Sequence, residues 1–402
     1  MAQLRSNKVR FAAITTLATA ALVGSLTALP AQAAPAEGRV LAAGSPTAVQ
    51  DSYIVTLKKG SGLKAASSAG KGLIKEYGGS VRKTYDKVLN GYTATLSATE
   101  ARRLAADPSV ASVEQNQRVR LADTTQTSAP WGLDRIDQTS LPLSGTYTYP
   151  DTAGGGVTVY VVDTGVRITH SQISGRASYG YDAVDGDTSA GDGNGHGTHV
   201  ATTIAGSTYG VAKKAKIVAV RVLDNNGSGT TAGVIDGIEW VTENATGPAV
   251  ANLSLGGSAS TSLDTAVANS IASGVTYAVA AGNSSANASS YSPARVSTAI
   301  TVGATTSTDA RASYSNYGSV LDIFAPGSSI TAGWHTSDTA TNTISGTSMA
   351  TPHVAGAAAV YLANHTSSTP AQVASALIAG ATTGKVTSPG SGSPNRLLKL
   401  VP

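Results

Sequence analysis

Hydrophobic and polar positions follow two different patterns along the chain. Residues 34–123 mix short alternating runs with helix-like stretches. We predict strands at 53–57, 92–96 and 110–113, and helices at 64–77 and 101–106. Asn90-Gly91 gives a turn signal before the second strand, and Ser97 precedes Glu100 with the spacing of a capping box. The pattern indicates a small α+β unit without clustered catalytic side chains.

Residues 124–402 instead contain continuous apolar runs separated by segments of helix length. The runs lie at 157–162, 217–222, 250–255, 275–281 and 299–302, and the helical segments at 231–242, 262–272 and 347–363. Apolar runs of this kind are typical of strands buried on both faces of a parallel sheet. We therefore predict a three-layer α/β domain that binds its ligands at the carboxyl ends of the strands.

Composition excludes several classes of protein. Only 13% of the 402 residues are charged, against a typical ~25%, which excludes an intrinsically disordered chain. The 44 glycines and only 2 phenylalanines indicate a turn-rich fold with small side chains inside. The absence of cysteine excludes disulfides, thiolate metal sites and cysteine nucleophiles.

The charge is divided unevenly between the two regions. Residues 1–123 contain 16 basic and 8 acidic residues, whereas residues 124–402 contain 12 and 16. A nucleic-acid-binding protein needs a basic face, so the net charge of +4 does not predict nucleic-acid binding. The division instead indicates two oppositely charged pieces that can dock on each other.

The N-terminus has the pattern of a secretory signal. Arg5, Lys8 and Arg10 precede an apolar run over 11–29, and Ala31-Gln32-Ala33 forms a cleavage motif. A transmembrane anchor is the alternative, but threonines and serines dilute the run. We predict a signal peptide over 1–33 and a secreted, soluble mature protein without a membrane segment.

Three short motifs contain the candidate chemistry. Asp163 ends the first strand in VVDTG, His196 lies in GHGTHV, and Ser348 lies in SGTSMATPH at the start of an apolar helix. Alone, the aspartate is most simply a turn residue, and a histidine pair can suggest zinc. The metalloprotease HExxH motif, however, needs a glutamate and a wider spacing. The start of a helix favours developing negative charge, which suits a nucleophilic serine there.

These motifs resemble those of the subtilase family. VVDTG, GHGTHVA and GTSMATPHVAG match in the order Asp, His, Ser, and the resemblance covers residues 51–402. Residues 129–136 and 223–229 resemble the proteinase K and aqualysin branch. Chymotrypsin-like proteases begin with histidine, and lipases need GxSxG, where this chain has Ala350. A catalytically dead binding module would be expected to lack one of these residues.

The resemblance implies a fold and a division into domains. We expect a subtilisin-like three-layer parallel sheet preceded by a ferredoxin-like α+β propeptide. The expected boundaries are 1–33 for the signal peptide, 34–123 for the propeptide, with its folded domain at about 51–119, and 124–402 for the peptidase domain. The propeptide would act as folding template and transient inhibitor, with a charge of +5 facing −4 on the enzyme. Ser348 would cut the chain near Asp123-Thr124.

The resemblance also implies roles for individual residues. Ser348 would be the nucleophile, His196 the general base and acid, and Asp163 the group that orients the imidazole. Asn283 matches the oxyanion-hole asparagine of the family, although on its own it would be read as a turn residue. A secreted, monomeric serine endopeptidase with polypeptide substrates is therefore expected.

Substrate binding is expected between two backbone edges that hold an extended peptide. The resemblance places these edges at Gly227-Ser228-Gly229 and Ser254-Leu255-Gly256-Gly257. Leu255, Gly256 and Gly257, together with Ala281 and Gly282, would line an uncharged S1 pocket. We expect broad specificity with apolar or aromatic P1 residues; ordinary turn chemistry is the alternative reading of the glycines.

Calcium is the cofactor that the resemblance implies. Asp322 would bind one ion with the carbonyls of Ser297 and Ala299, and a second site would comprise Asp134, Asp137, Gln138, Ser144 and Thr146. Solvated surface acids are the alternative. The chain departs from the family in two ways, because it lacks the disulfides frequent on this branch and has Thr202 where glycine is usual.

Overall fold

The structure is a computed structural model that describes residues 35–45, 47–118 and 123–401. The predicted signal peptide at 1–33 lies outside the described residues. The described residues form two compact units, one within Met1–Arg120 and the other within Leu121–Pro402. None of the helices in the described ranges is both long and apolar enough to cross a lipid bilayer.

The first unit is a five-stranded sheet with two helices. Its elements are β1 (Val40–Leu41), β2 (Ala48–Leu57), α1 (Ser68–Glu76), β3 (Ser80–Tyr85), β4 (Gly91–Thr95), α2 (Ala98–Ala105) and β5 (Val110–Gln117). The strand order is β1-β5-β2-β4-β3, and the pairs among β2 to β5 are antiparallel. This is the expected ferredoxin-like arrangement of two split β-α-β units. The capping box at Ser97 and Glu100 starts α2, as the spacing predicts.

The second unit contains the following elements. They are β6 (Asp123–Thr127), α3 (Trp131–Asp137), β7 (Thr146–Pro150), β8 (Thr158–Asp163), β9 (Ala177–Asp182), α4 (His196–Ala205), β10 (Lys216–Arg221), α5 (Thr231–Asn244), β11 (Ala249–Leu253), β12 (Gly257–Ser258), α6 (Thr261–Ala272), β13 (Thr276–Ala280), β14 (Tyr291–Ser292), β15 (Ile300–Thr305), β16 (Ile323–Pro326), β17 (Ile330–Gly333), β18 (Thr341–Ile344), α7 (Thr347–Asn364), α8 (Pro370–Gly380), β19 (Thr382–Thr383) and β20 (Arg396–Leu397).

A nine-stranded sheet forms the middle layer of this unit. Its order is β19-β20-β16-β15-β13-β11-β8-β10-β9, and every pair except β19–β20 is parallel. One apolar core joins α4, α7 and α8 to one face, and a second joins α5 and α6 to the other. The three-layer prediction is therefore confirmed, with the strands buried on both faces.

The strand order determines where a ligand can bind. The chain places β10 on one side of β8 and β11 on the other, so the crossovers diverge at the carboxyl end of β8. Crevices at such a switch point are where open α/β sheets bind their ligands. Asp163 is the last residue of β8 and therefore lies at this crevice.

Candidate active site

Asp163 and His196 meet at the carboxyl end of the sheet. The Asp163 carboxyl is fully buried, and its Oδ1 lies 2.7 Å from His196 Nδ1. Burial lowers the pKa of His196, but the charge and hydrogen bond of Asp163 and the charge of Asp192 outweigh it, so the net pKa is raised. The imidazole is a quarter exposed, which leaves its other nitrogen open to a reacting group.

Helix α4 begins at His196, and a glycine makes this start possible. Gly195 has φ = 112°, a left-handed conformation that side chains disfavour. A β-carbon there would lie 2.4 Å from the Trp334 ring and 2.6 Å from His335 Nδ1. His196 therefore follows a turn that only glycine adopts readily and that packs closely against Trp334 and His335.

Ser348 is the second residue of α7, and in this structure its hydroxyl bonds to backbone. Ser348 Oγ donates to the carbonyl oxygen of Ser254 at 3.0 Å, while Ser254 Oγ donates to the carbonyl of Ser348 at 2.8 Å. No hydrogen bond joins Ser348 to His196 in the described part of the chain. Catalytic hydrogen bonds are often long or misaligned before substrate binds, so a catalytic role for Ser348 would require its hydroxyl to rotate towards the imidazole.

Asn283 stands beside the start of α7 with its amide held in one orientation. Its Oδ1 accepts hydrogen bonds from Thr347 N at 2.8 Å and Thr347 Oγ1 at 2.9 Å. The Nδ2 donor is thereby left as the atom that can reach a ligand. Sequence reasoning missed Thr347, although its place directly before Ser348 in the serine motif is the signal that could have identified it.

A cleft of about 720 Å³ runs beside these side chains. It is lined by His196 and both predicted edges, Gly227-Ser228-Gly229 and Ser254-Leu255-Gly256-Gly257. Ala281 is fully buried, and neither Ala281 nor Gly282 is among the residues lining this cleft. The sequence analysis did not include several further lining residues: Thr164, Asn194, Leu223, Asn226, Thr230, Thr231, Val234, Ser258, Ala259, Ser260 and Leu263.

The first candidate calcium position is centred on Asp322. This carboxyl accepts a hydrogen bond from Thr301 N at 2.8 Å, two residues beyond Ala299. Burial raises its pKa, opposed by that hydrogen bond and by the charge of Arg396. A partly buried carboxylate of this kind is compatible with a hard cation, and Ser297 is exposed.

The second candidate position is built around α3 and the loop that follows it. Asp134 accepts hydrogen bonds from Ser144 N and Oγ, both at 3.0 Å, and Ser144 N also donates to Gln138 Oε1 at 3.1 Å. Thr146 Oγ1 lies 2.8 Å from Ser144 Oγ. The oxygens of the predicted set are thus brought together.

Asp137 adds an unsatisfied atom to this second set. Its Oδ2 accepts from Thr148 N at 2.6 Å, but its Oδ1 is buried without a partner among the described residues. Burial, followed by the charge of Asp134, raises the pKa of Asp137 against the hydrogen bond from Thr148. A cation would satisfy the orphaned oxygen, so these residues fit calcium. No cluster of three or more His, Cys, Asp or Glu side chains occurs in the described ranges, and calcium here would depend on hydroxyl, amide and carbonyl oxygens.

Comparisons with known proteins agree with this geometry. Residues 154–396 match the Subtilase family, and residues 52–122 match Peptidase inhibitor I9. The chain is 52% identical over 387 residues to the "Extracellular serine proteinase" of a Thermus species, covering 92% of this chain and 94% of that protein. It is 49% identical over 364 residues to "Alkaline serine exoprotease A" of Vibrio alginolyticus, covering 87% and 67%.

A solved structure extends the similarity to three dimensions. A cold-adapted subtilisin-like serine proteinase shares 55% identity with a TM-score of 0.67, over 69% of this chain and all of that one. The expected subtilisin-like fold, inhibitor-type propeptide and extracellular location are confirmed by these findings. The chain therefore belongs to the subtilase family, as a secreted serine endopeptidase that acts on polypeptides and matures by removal of its propeptide.

Proposed function

We propose that Asp163, His196 and Ser348 form the catalytic triad of this endopeptidase. The 2.7 Å contact between His196 Nδ1 and the buried Asp163 carboxylate carries this proposal. That contact fixes the tautomer in which the other ring nitrogen accepts a proton. Ser348, released from Ser254, attacks the scissile carbonyl while His196 takes its proton and later gives it to the leaving amine.

We assign the oxyanion hole to Ser348 N and Asn283 Nδ2. Ser348 N has no acceptor among the described residues, and the bonds from Thr347 occupy Asn283 Oδ1 and leave Nδ2 available. Ser348 N belongs to the start of α7 and Asn283 lies beside it, where the helix dipole also favours an anion. They stabilise charge that develops only in the transition state.

The cleft supports a preference for apolar or aromatic P1 residues. Leu255, Gly256 and Gly257 line it without a charged side chain, and Gly227 to Gly229 form the opposite edge. Backbone edges pair with an extended peptide whatever its side chains, so specificity is broad. The triad and both edges come from one chain, which supports a monomeric enzyme.

We propose that the protease cuts itself free of its propeptide near Asp123-Thr124. The segment that matches Peptidase inhibitor I9 ends at residue 122, one residue before this bond. In the structure Asp123 and Thr124 lie in β6, paired with β7. A bond cut by Ser348 must first leave that pairing and enter the cleft, where it is held as an extended strand.

Wild type and Ser348→Ala, expressed side by side, test the triad and the processing together. Wild type yields a chain starting within a few residues of Thr124, and Ser348→Ala accumulates as a precursor. Processing of the variant at the same place without added protease would show that another enzyme matures the chain. Modification of wild-type Ser348 by a sulfonyl fluoride abolishes casein hydrolysis. Labelling without proteolysis would identify an esterase, and no labelling a binding module.

We also propose that calcium binds at Asp322 and around Asp137, in place of the missing disulfides. The orphaned Asp137 Oδ1 supports the second site. Binding to the folded state alone stabilises it by RT ln(1 + [L]/Kd). The melting midpoint of the inhibited enzyme should fall in excess EDTA relative to millimolar calcium. Asp137→Asn and Asp322→Asn should each reduce that difference, whereas an equal midpoint in both buffers contradicts calcium binding.

A further inference from the structure

A second carboxylate lies close to the triad, in the loop that leads into α4. Asp192 is partly buried and precedes His196 by four positions. Its Oδ1 accepts hydrogen bonds from Thr164 Oγ1 at 2.9 Å, Asn194 N at 2.9 Å and Gly195 N at 2.8 Å. Its Oδ2 accepts from Thr198 N at 2.9 Å and Thr198 Oγ1 at 2.6 Å. Five donors converge on one side chain.

These bonds connect the two segments that hold the triad's acid and base. Thr164 follows Asp163 directly, and its Oγ1 accepts from Gly197 N at 2.9 Å while donating to Asp192. Thr198 belongs to the first turn of α4 and is fully buried. Hydrogen bonds through Asp192 and Thr164 therefore link the end of β8 to the backbone of α4, both before and after His196.

We propose, on the basis of the proposed triad, that Asp192 is a positioning residue for His196. Its carboxylate fixes the distance between the Asp163 turn and the first turn of α4. It does not face the reacting atoms directly, because both oxygens are occupied by Thr164, Thr198 and backbone donors. The N-cap residue Gly195 has no side chain, so the carboxylate three positions earlier takes over the capping.

The charge of Asp192 gives this role a measurable signature. The titratable groups whose charges act on the imidazole are Asp163 on β8, Asp192 before α4 and His199 on α4. Burial holds the pKa of His199 at about 4, so it is neutral in the working range. Asp192 raises the pKa of His196 after the larger effects of burial and Asp163, and stabilises the imidazolium formed during the reaction.

Asp192→Asn tests both parts of the role. The amide keeps one acceptor oxygen but presents N–H donors to Thr198 N, so the tie to α4 is lost together with the charge. We expect kcat to fall about 10- to 100-fold, as for small misplacements of catalytic groups, with KM little changed. The acid limb of kcat/KM should move to lower pH because the imidazole protonates less readily.

Asp187→Asn is the matched control. Asp187 lies in the same loop and is exposed, and its side chain accepts only a local hydrogen bond from Ser189 N at 2.7 Å. The Asp187→Asn variant changes the net charge by the same amount but removes no hydrogen bond to β8 or α4. Its kcat and the acid limb of its kcat/KM profile should therefore stay near those of wild type. The pH dependence of inactivation by a sulfonyl fluoride reads the same imidazole without substrate binding, and should shift only in Asp192→Asn.

The outcomes separate this inference from the proposed triad. If Ser348→Ala hydrolyses casein normally, the triad assignment itself fails. If Ser348→Ala is inactive but Asp192→Asn matches wild type, or loses kcat with an unmoved acid limb, the positioning role of Asp192 is overturned. Should Asp192→Asn fail to fold, Thr164→Val removes the linking hydroxyl and keeps the charge. It should lower kcat with the acid limb retained, and unchanged kcat would overturn the proposal.

Discussion

Helices α4 and α7 carry the proposed base and the proposed nucleophile, and they begin in opposite ways. At α4, side chains accept hydrogen bonds from the first three backbone N–H groups, those of His196, Gly197 and Thr198. At α7, Thr347 N donates to Asn283, and Ser348 N has no acceptor among the described residues. We call these the closed and the open helix start.

The difference shows how one feature of helices serves two purposes. The first N–H groups of any helix lack intrahelical partners and must find others. At the closed start, side chains of the preceding loops accept hydrogen bonds from these N–H groups and so fix the backbone that carries His196. At the open start one donor stays available for a substrate, so the same unsatisfied group can serve in the proposed oxyanion hole.

The largest expected effect comes from breaking the open start. Asn283→Ala removes the Nδ2 donor and should lower kcat by about 10²–10³, the loss known for one oxyanion donor in a subtilisin. KM should change little, because the donor acts on charge absent from the bound substrate. Steady-state kinetics on a peptide anilide measure both constants.

Thr347→Val and Thr347→Ser control for the orientation of the amide. The serine keeps the hydroxyl that bonds Asn283 Oδ1, whereas the valine removes it and leaves the Thr347 N bond. We expect near-normal kcat for the serine and an intermediate loss for the valine. An Asn283→Ala enzyme within threefold of wild type contradicts the use of the open start.

Each helix also carries one buried neutral histidine, which makes stability depend on pH. Burial lowers the pKa of His199 on α4 and of His353 on α7, both from 6.5 to about 4. The unfolded chain therefore binds protons first as pH falls, and stability is lost between about pH 6.5 and 4. Each histidine should cost about 3 kcal/mol across this window.

Denaturant unfolding of the sulfonyl-fluoride-inhibited enzyme at several pH values checks this prediction. Replacing His353 by Gln should remove about one proton, or about 1.4 kcal/mol per pH unit, from the slope between the two pKa values. His365→Gln, at the exposed end of the same helix, is the control for replacing a histidine of α7. If the unfolding free energy of wild type and of His353→Gln depends on pH with the same slope, His353 is not a source of the acid sensitivity.

The closed start should also be sensitive to a single methyl group. Gly195→Ala requires a side chain at φ = 112° and a β-carbon 2.4 Å from the Trp334 ring. Gly186→Ala, in the same loop with φ = 73° and no atom within 4 Å, carries only the backbone strain. We expect unfolding free energies lower by about 1 kcal/mol for Gly186→Ala and by about 2 kcal/mol more for Gly195→Ala. Equal losses would show that the Trp334 contact does not matter.

The pattern of apolar runs was sufficient to predict the central strands and the long helices to within a few residues. Strands β8, β10, β11, β13 and β15 and helices α5, α6 and α7 lie where continuous apolar runs and helix-length segments predicted them. Short strands such as β17 and β18 were missed because two to four residues carry too little periodicity.

The candidate site was predicted unevenly for a similar reason. Motif residues such as His196 and Ser348 could be proposed as site residues from type and order alone. Asp192 and Thr347 act through hydrogen bonds to neighbouring loops, and such bonds leave no periodic signal in a single sequence. The structure was also needed to show that Ala281 is buried away from the cleft lining.

Thr202 is the position where the family usually has glycine, and the structure gives it a role at the far end of α4. Its buried Oγ1 donates to Thr198 O at 2.8 Å and accepts from Gly333 N at 2.8 Å. Gly333 ends β17, directly before Trp334, which lies against Gly195. The Thr202 hydroxyl therefore links α4 to the segment of Gly333 and Trp334, which packs against Gly195 at the closed start.

Thr202→Val tests this tie with the smallest expected effect. The valine keeps the volume but leaves the buried Gly333 N–H without its partner, which should cost about 1–2 kcal/mol of unfolding free energy. Thr203→Val is the control, because Thr203 Oγ1 bonds only His199 O within the helix, and its loss should be smaller. Thr202→Ser retains the hydroxyl and should stay near wild type. Guanidinium unfolding of the inhibited enzymes measures all three, and equal losses for the two valines would remove any special role for the Gly333 bond.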